Sequence, residues 1–302
     1  MKITVFGGSG FLGSHVCDQL SEAGHQVTIY DQIASPWIRD NQQMIVGDIL
    51  DPEKVLEAVS GKDMVYNFAG IADIAEANKS AVDTIKYNIL SNTYILDACV
   101  ECKIKRFIFA STLYVYSNAG GFYRCSKQAC ENYIENYYQL FGLEYTVLRY
   151  GSLYGPRDNR NAIYRFVKEA LESDTIHYYG SPEALREYIH VIDAAKSSVK
   201  MLESSFSNQY VMITGHQPMR VGDVLKMIAE IINKPLEFVF DHQTTREHYE
   251  VTPYSFNPKL GAKYAPPLHV DFGQGILKVI EEQYKTIHNE LYESNGILVK
   301  ED

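Results

Sequence analysis

Short apolar runs alternate with amphipathic stretches through the first half of the chain. The runs have the length of buried parallel strands, and they lie at residues 1–6, 26–30, 43–46, 63–68, 106–110 and 144–150. The stretches between them carry apolar side chains at helical spacing, most clearly at residues 14–24, 81–101 and 123–140. Strands and helices in regular alternation are typical of a parallel sheet covered on both faces. The sequence therefore predicts an α/β fold with a Rossmann-type, doubly wound parallel sheet.

The pattern changes after residue 150, where Pro and Gly interrupt shorter elements. We expect a cofactor-binding sheet domain over residues 1–150 and a smaller, mixed α/β substrate lobe over residues 151–302. Some segments of this lobe are expected to return to the sheet. The last stretch, from about residue 287, is predicted to be peripheral.

The first strand runs directly into a glycine-rich turn, Gly-Gly-Ser-Gly-Phe-Leu-Gly, at residues 7–13. An amphipathic helix follows this turn. In a dinucleotide site Gly7 would permit the tight turn, Gly10 would let the backbone approach a pyrophosphate, and Gly13 would let the helix pack close to the strand. The free N–H groups at the start of the helix would then bind the phosphates.

The second strand ends in an acidic residue, Asp31, which lies eighteen residues after Gly13. A carboxylate at about this distance accepts hydrogen bonds from the adenosine ribose hydroxyls and repels a 2′-phosphate. We therefore predict that the cofactor is NAD rather than NADP. The competing interpretation is a glycine turn with a purely steric role and an aspartate that follows it by chance.

A tyrosine and a lysine, Tyr123 and Lys127, lie four residues apart in a predicted helix and so share one face. Tyrosine has an unperturbed pKa of about 10, so a pKa near 7 requires about 4 kcal/mol in favour of the phenolate. A fixed ammonium one helical turn away and a cationic nicotinamide supply such a field. The hydroxyl of Thr112, at the end of the fifth strand, could orient or relay the proton. Such a pair is also common on exposed helices, and only the preceding sheet and glycine turn favour a catalytic role.

Composition and charge disfavour several classes of partner. The chain has 302 residues, 46% of them hydrophobic, and its net charge of −10 disfavours a nucleic-acid partner. No run of eighteen apolar residues is present and Met1 enters the first strand at once, so we expect neither a membrane span nor a signal peptide. Cys99 and Cys102 are spaced like half a zinc site, but no second pair completes it. We expect no bound metal, no disulfide and a cytoplasmic location.

These features together resemble a known family, the extended short-chain dehydrogenases/reductases, in the branch of NAD-dependent nucleotide-sugar epimerases and dehydratases that includes UDP-glucose 4-epimerases. The resemblance extends from Gly7 to about Ile280. Besides the glycine turn and the Tyr123–Lys127 pair, the motifs that carry it are Gly-Asp-Ile at 47–49, Phe-Ala-Gly at 68–70, Leu-Arg-Tyr at 148–150, Tyr-Gly-Pro-Arg at 154–157 and Arg-Glu-Tyr-Ile-His-Val-Ile-Asp at 186–193.

The resemblance implies a role for particular residues. The implied catalytic residues are Thr112, Tyr123 and Lys127. The implied cofactor-binding residues, in addition to Tyr123 and Lys127, are Gly7, Gly10, Phe11, Leu12, Gly13, Asp31, Asp48, Ile49, Phe68, Ala69, Gly70, Asn88 and Tyr150. Ser152, Asn161 and Arg186 match positions that contact a nucleotide-diphosphate sugar, and an arginine fork suits a diphosphate. For Arg186, an ion pair with a structural role is the alternative.

Three positions depart from the family pattern. Leu113 and Tyr114 stand where the 4,6-dehydratases carry Asp-Glu and where decarboxylases carry a Glu. Ser152 stands where epimerases commonly have an Asn that contacts the substrate. Only six residues separate Tyr116 from Tyr123, against about twenty in typical relatives, so a loop that helps to cover the site is short. The first departure leaves water elimination from the sugar without an obvious acid or base.

Our leading hypothesis is a nucleotide-sugar epimerase that acts at C4 through a transient keto intermediate. A 4,6-dehydratase, a sugar dehydrogenase or ketoreductase, and a non-catalytic NAD-binding protein are the alternatives. We also expect a homodimer in which the two long helices of each chain form a four-helix bundle, as in relatives. The apolar residues that suggest this contact are Ile85, Ile89, Tyr94, Ile95, Tyr133, Ile134, Tyr137 and Tyr138. The alternative is that they all face the chain's own core.

Overall fold

The computed structural model describes residues 1–241, and a seven-stranded parallel sheet forms its centre. In chain order the strands are β1 (Lys2–Phe6), β2 (Gln26–Asp31), β3 (Gln42–Val46), β4 (Met64–Asn67), β5 (Arg106–Thr112), β6 (Glu144–Tyr150), β7 (Ser152–Tyr154), β8 (Thr175–Tyr179), β9 (Leu185–Arg186), β10 (Tyr188–His190), β11 (Gln209–Ile213), β12 (Met219–Arg220) and β13 (Glu237–Asp241). The central sheet has the order β11–β6–β5–β4–β1–β2–β3. The predicted Rossmann-type fold is confirmed.

The helices connect the strands in the alternating manner that the sequence predicts. They are α1 (Phe11–Glu22), α2 (Pro52–Val59), α3 (Ile74–Lys79), α4 (Ala81–Thr84), α5 (Ser91–Glu101), α6 (Gly121–Phe141), α7 (Ala162–Glu172), α8 (Val191–Lys200) and α9 (Val221–Ile232). Local signals set several of these boundaries. Asp51, for example, accepts a hydrogen bond from the Lys54 N–H at 3.2 Å, and Pro52 opens α2.

The sheet has a hydrophobic core on each face, because successive strand residues point to opposite sides. On one face, Ile3 and Val5 of β1 pack with residues of α1 and α8. On the other face, Phe6 packs with residues of α2, α5 and α6. The chain order reverses between β1 and β4, and at such a switch point the carboxyl ends of the strands form a crevice in which ligands bind.

The long helix predicted over residues 81–101 is not one regular α-helix. A π-helical segment, Ile85–Leu90, separates α4 from α5. A π-turn inserts an extra residue, and such turns often occur at functional sites. Here it carries the buried Asn88, whose carbonyl oxygen lies 3.1 Å from the Cys130 thiol of α6. Apolar periodicity could not predict this segment, because the pattern continues through it.

The second half of the described chain surrounds a third hydrophobic core, built from α7, β8, α9 and β13. Two strands, β7 and β10, form a short parallel pair, while β9 and β12 form an antiparallel one. As expected, one segment returns to the sheet, since β11 pairs with β6. The domain boundary after residue 150 stays a prediction. The predicted peripheral stretch from about residue 287 lies outside the described residues.

No helix between residues 1 and 241 is long and apolar enough to cross a membrane.

Candidate active site

The glycine turn has the geometry that a bound pyrophosphate requires. Gly7 has a φ of +75°, which favours glycine. A Cβ added to Gly13 would lie 2.2 Å from the Gly7 carbonyl oxygen, so no other residue fits there without a shift of the backbone. Gly10 precedes α1, which Phe11 and Leu12 open. The positive end of the helix dipole and the N–H groups of its first turn therefore lie beside the turn.

Asp31 ends β2 beside this turn, as the sequence predicts. One carboxylate oxygen accepts a hydrogen bond from the Ser9 N–H at 3.0 Å, and the other accepts one from the Ile33 N–H at 3.2 Å. These bonds fix the orientation of the carboxylate. Each oxygen keeps a lone pair that could accept a ribose hydroxyl hydrogen. The turn, the helix and Asp31 together fit NAD.

The carboxyl ends of β3 and β4 supply the walls of the predicted cofactor cleft. Asp48 caps its own turn by accepting the Leu50 N–H at 2.9 Å, and Ile49 packs against the core. The ring of Phe68 stacks on Tyr66, with ring centroids 5.8 Å apart. Ala69 and Gly70 follow Phe68 directly. The adenine contact expected for Asp48 and Ile49 stays a prediction.

Asn88 shapes the loop that follows β4. Its side-chain oxygen accepts the Ile71 N–H at 2.7 Å, and its amide nitrogen donates to the Ile71 carbonyl at 3.0 Å and to the Ser126 hydroxyl at 2.9 Å. Gly70 is required beside it, because an added Cβ would lie 2.6 Å from the Asn88 oxygen and φ is +122°. The predicted cofactor residue thus connects the loop of residues 68–71 to α6.

The three predicted catalytic residues lie together at the end of β5 and the start of α6. The hydroxyl groups of Thr112 and Tyr123 are hydrogen-bonded. Thr112 also accepts the Tyr114 N–H at 3.2 Å, so its own O–H is free to donate to the Tyr123 oxygen. The Lys127 ammonium lies 5.9 Å from the centre of the Tyr123 ring and donates to the Ala110 carbonyl at 2.8 Å. Tyr123 and Lys127 therefore share one face of α6, as predicted.

Burial works against ionisation of both residues. Burial raises the pKa of Tyr123 to about 12, although the Thr112 hydrogen bond and the Arg160 charge oppose the shift. Burial likewise lowers the pKa of Lys127, against the opposing influence of Cys130 and Glu131. The protein alone therefore does not bring the pKa of Tyr123 to about 7. For Tyr123 to act as a catalytic base, the further positive charge of an oxidised nicotinamide is needed.

The segment after Thr112 is a 3₁₀-helix, Leu113–Tyr116, which the sequence analysis did not predict. Leu113 is only 1% exposed and belongs to the interior rather than to the site. The Tyr114 ring meets the Tyr123 ring edge to face, with centroids 6.5 Å apart. Neither residue supplies a carboxylate beside the catalytic hydroxyls.

The short connection to α6 is a tight turn rather than a covering loop. Gly120 and Gly121 have φ values of +94° and +50°. The side-chain oxygen of Asn78 accepts the Phe122 N–H at 3.1 Å at the start of α6. Six residues suffice because two consecutive glycines reverse the chain here.

The remaining predicted site residues are more dispersed. Tyr150 is the last residue of β6 and is buried in a hydrophobic core, where its hydroxyl lies 2.6 Å from the Ser198 hydroxyl. Ser152 begins β7, and Asn161 precedes α7. Arg186 is buried and donates to the Tyr178 hydroxyl at 3.2 Å. The cofactor role of Tyr150 and the substrate roles of the other three stay predictions.

Two groups near the catalytic residues were missed in the sequence. Arg160 contributes positive charge at Tyr123. Glu131 lies one helical turn after Lys127, and its buried carboxylate pairs with Arg149 at 2.6 Å. A helical signal for Glu131 was present, because it continues the four-residue spacing of Tyr123 and Lys127. The sequence held no comparable signal for Arg160.

Comparison with known proteins places the chain among NAD-dependent enzymes. A model of the NAD dependent epimerase/dehydratase family matches residues 3–213. A UDP-N-acetyl-alpha-D-glucosaminuronate decarboxylase of Bacillus cytotoxicus is 27% identical over 275 residues, which cover 80% of this chain and 85% of that protein. A putative UDP-glucose 4-epimerase of Methanocaldococcus jannaschii is 27% identical over 305 residues, which cover 92% and 97% of the two chains.

A solved structure shows the same fold. The crystal structure of a UDP-glucuronic acid 4-epimerase from Bacillus cereus, in complex with UDP-glucuronic acid and NAD, superposes with a TM-score of 0.76. It is 26% identical and covers 85% of this chain and 90% of that chain. With the family model matched over most of its length, this chain belongs to the NAD dependent epimerase/dehydratase family of extended short-chain dehydrogenases/reductases, and its cofactor is NAD.

Proposed function

We propose that the protein is an NAD-dependent nucleotide-sugar epimerase that inverts C4 of its sugar. The observation that carries the proposal is the Thr112–Tyr123–Lys127 arrangement, which has no carboxylate in the adjoining Leu113–Tyr114 segment. Oxidation and reduction at one carbon need a single base and a hydride carrier. Elimination or decarboxylation would need further catalytic groups, such as the acidic residues that the resemblance associates with those reactions.

Each catalytic side chain has a distinct task in this reaction. Tyr123 removes the proton of the C4 hydroxyl as a phenolate and returns it at the end of the cycle. Thr112 donates a hydrogen bond to the Tyr123 oxygen and so favours the phenolate. Lys127 adds a positive charge one helical turn away. The site would hold NAD⁺ beside these residues, and the cofactor would supply the hydride acceptor for C4 and the donor for the opposite face of the keto sugar.

The substrate is proposed to be a nucleotide-diphosphate sugar. Ser152, Asn161 and Arg186 are the proposed contacts, and the names of the relatives support this class. The guanidinium of Arg186 is already partly committed to Tyr178, so we assign it to a fixed rather than a mobile contact. A preformed arginine loses little entropy when it binds a diphosphate.

The rival reactions make different demands on this site. A decarboxylase is among the relatives, and the resemblance associates decarboxylases and dehydratases with acidic residues where this chain has Leu113 and Tyr114. Leu113 is buried and has no ionisable group, so this position supplies no acid or base to replace those acidic residues. A dehydrogenase or ketoreductase would have to release its cofactor in each cycle, whereas an epimerase regenerates it.

Isotope labelling separates these reactions. The purified protein is incubated with UDP-, GDP-, CDP- and dTDP-sugars, and NMR identifies which of them react. The reactive sugar is then supplied with deuterium at C4 in ordinary water, and without label in heavy water. Epimerisation retains the C4 deuterium and takes up none from solvent. Solvent deuterium at C5 with loss of the C6 hydroxyl would identify a dehydratase, and stoichiometric NADH would identify a dehydrogenase.

A further inference from the structure

Lys127 is a buried cation with little direct support. Its side chain is 7% exposed, and the Ala110 carbonyl is its one hydrogen-bond acceptor among residues 1–241. The ring of Phe109 lies 4.6 Å from the ammonium nitrogen. Burial lowers the pKa of Lys127, and a neutral amine could not favour the Tyr123 phenolate. The surroundings of Lys127 therefore have to keep it charged.

A carboxylate that can do so is Glu131, which lies one turn further along α6 and opposes the effect of burial on Lys127. One of its carboxylate oxygens accepts the Ser111 hydroxyl at 2.6 Å and the Arg149 Nε–H at 3.0 Å. The other accepts the Arg149 Nη2–H at 2.6 Å. A carboxylate held in this bidentate way is fixed in position.

Arg149 is itself held rigidly. Its guanidinium lies 4.6 Å from the centre of the Tyr116 ring and 4.4 Å from that of Tyr210, and it also donates to the Tyr116 hydroxyl. The two rings belong to the 3₁₀-helix and to β11. The Glu131–Arg149 ion pair is therefore enclosed by α6, the 3₁₀-helix and β11, and these contacts restrict the Glu131 side chain to one position.

The other titratable groups around Lys127 do not replace this charge. Cys130 and Glu131 oppose the effect of burial on the Lys127 pKa. Burial, however, raises the pKa of Cys130 to about 12, so its thiol is neutral across the physiological range. Tyr123 is the third titratable neighbour on α6. Among residues 1–241, Lys127 contacts the Phe109 ring and the Ala110 carbonyl of β5, which carry no charge. Arg149 of β6, which pairs with Glu131, is positively charged and so cannot help to keep Lys127 cationic.

Glu131 also fixes the position of the strand that carries Thr112. Ser111, which hydrogen-bonds to Glu131, is the residue directly before Thr112. The same carboxylate thus connects the end of β5 to the helix that carries Tyr123 and Lys127. Buried ion pairs contribute little net stability, because desolvation offsets their attraction, so a stabilising role alone does not account for this cluster.

We propose that Glu131, held by Arg149 and Ser111, is a positioning residue that keeps Lys127 cationic and sets Thr112 against Tyr123. The proposal rests on the proposed function, in which Tyr123 is the base and Lys127 its activating cation. It adds a buried residue that is not among the predicted cofactor or substrate contacts.

The first test measures the charge of Lys127 directly. The NAD-bound protein is labelled with ¹³C-lysine, and NMR follows each lysine through a pH titration, with Lys127→Arg identifying the Lys127 signal. In Glu131→Gln the Lys127 pKa is expected to fall by about 1 unit, because a neighbouring anion is lost. The control is Glu101→Gln, which removes an exposed carboxylate at the end of α5, outside this cluster, and should leave the Lys127 titration unchanged. An unchanged Lys127 titration in Glu131→Gln overturns the proposal.

The second test measures position and does not depend on Glu131→Gln folding. Ser111→Ala leaves the Glu131 charge in place and removes its bond to β5. In the NAD⁺-bound protein, the pH at which Tyr123 ionises, read by ultraviolet tyrosinate absorbance against Tyr123→Phe, is expected to rise by about 1 unit as the Thr112 hydrogen bond weakens. The Lys127 titration should stay unchanged. If Tyr123 ionises in Ser111→Ala as in the unmodified protein, the positioning role is wrong.

Turnover completes the comparison and separates this proposal from the proposed function. With an active nucleotide sugar, the alkaline limb of the kcat profile should move to lower pH in Glu131→Gln by the same amount as the Lys127 titration. Loss of a merely structural residue would lower kcat or the melting temperature without moving that limb. If no nucleotide sugar reacts, the proposed function fails, while the two titrations still decide the role of Glu131.

Discussion

Asp31 is the residue on which we expect the choice of cofactor to depend most directly. Its carboxylate already accepts two backbone N–H groups, from Ser9 and Ile33, and so cannot turn away from the ribose. A 2′-phosphate placed against it would meet a fixed negative charge. We therefore attribute the expected preference for NAD to this one side chain at the end of its strand.

We predict that Asp31→Ala weakens the discrimination between NAD and NADP by about 10-fold or more, since charged hydrogen bonds contribute about 1.5–3 kcal/mol each. Calorimetric titration with both cofactors measures the change. The control is Asp51→Ala, which removes the cap of α2 and should lower stability by about 1 kcal/mol without changing the preference. Tighter binding of NADP than of NAD by the unmodified protein would contradict the assignment.

Tyr123→Phe is expected to lower turnover by about 100-fold or more, while folding and NAD affinity stay nearly normal. The ring that packs against Tyr114 is retained, and only the hydroxyl that bonds to Thr112 is lost. Steady-state rates with the active nucleotide sugar measure the effect. Tyr137→Phe, which removes a hydroxyl bonded to Asp97 on the same helix, is the matched control. Near-normal turnover of Tyr123→Phe would mean that another group is the base.

The ionisation of Tyr123 should depend on the cofactor. Burial raises its pKa to about 12, so without NAD the phenol is expected to stay neutral until strongly alkaline pH. A positive charge on the nicotinamide favours the phenolate and should lower that pKa, so binding of NAD⁺ should release a proton when the pH lies near the lowered value. Tyrosinate absorbance with and without NAD⁺ measures the shift, and Tyr123→Phe identifies its signal. Identical titrations in both states would refute this account of activation.

At the scale of elements, the strand–turn–helix unit at the start of the chain depends on close backbone contact. The Gly7 carbonyl lies where a side chain at residue 13 would begin, so β1 and α1 approach each other as closely as the backbone allows. The conformation of Gly7 itself, with φ at +75°, completes the turn. The same small residues therefore allow α1 to pack close to β1 and allow a pyrophosphate to approach the backbone.

A pair of glycine variants separates packing from backbone strain. Gly13→Ala should abolish measurable NAD binding and lower the melting temperature, because its Cβ would lie 2.2 Å from a carbonyl oxygen. Gly24→Ala lies in open space at φ of +81° and should cost only about 1–2 kcal/mol of strain while NAD binding is kept. Calorimetry and thermal unfolding measure both effects. Equal NAD affinity in the two variants would show that close packing at residue 13 is not needed.

The π-helical segment and the 3₁₀-helix are the elements that shape the site most specifically. The first carries Asn88 inward, and the second follows Thr112 and carries Tyr114 and Tyr116. Neither departs from an ordinary apolar pattern in the sequence. Each is stabilised by contacts from α6, which include Ser126 on Asn88 and Gln128 on the Val115 carbonyl.

At the scale of the whole molecule, the two long helices leave an apolar face uncovered within the described chain. Of the residues named for a dimer contact, Ile95 and Ile134 are only 0% and 1% exposed and pack into the chain's own core. Ile85 and Tyr133 are 54% and 49% exposed, and Tyr138 is also exposed. The expected dimer surface therefore included residues that are buried within the chain, but its exposed residues leave an apolar surface that a partner can cover.

We predict that the protein is a homodimer through this face, so that light scattering at micromolar concentration gives twice the chain mass of 34.3 kDa. The double variant Ile85→Asp/Tyr133→Asp should be monomeric, because both changes place charge in a two-fold contact. The control is Ile231→Asp, an exposed apolar position on α9 that should leave the mass unchanged. A monomer mass for the unmodified protein would contradict the dimer.

The sequence by itself determined the sheet, the glycine turn, Asp31 and the shared face of Tyr123 and Lys127. These features are local, because strand and helix periodicity, turn chemistry and four-residue spacing all lie within short stretches of chain. The helix over residues 123–140 and the strand over residues 144–150 were accordingly predicted close to their observed bounds. The place of Thr112 at the end of the fifth strand also indicated its role, and the structure shows it hydrogen-bonded to Tyr123.

Only the tertiary structure decided how these groups are charged and held. The Glu131–Arg149–Ser111 cluster joins residues 18 to 20 positions apart, and the pairing of Arg157 with Asp18 spans 139 positions. No periodicity reports such contacts. The direction of the Tyr123 pKa shift likewise follows from burial among β5, α6 and their neighbours, and desolvation depends on everything packed around a group rather than on its place in the chain.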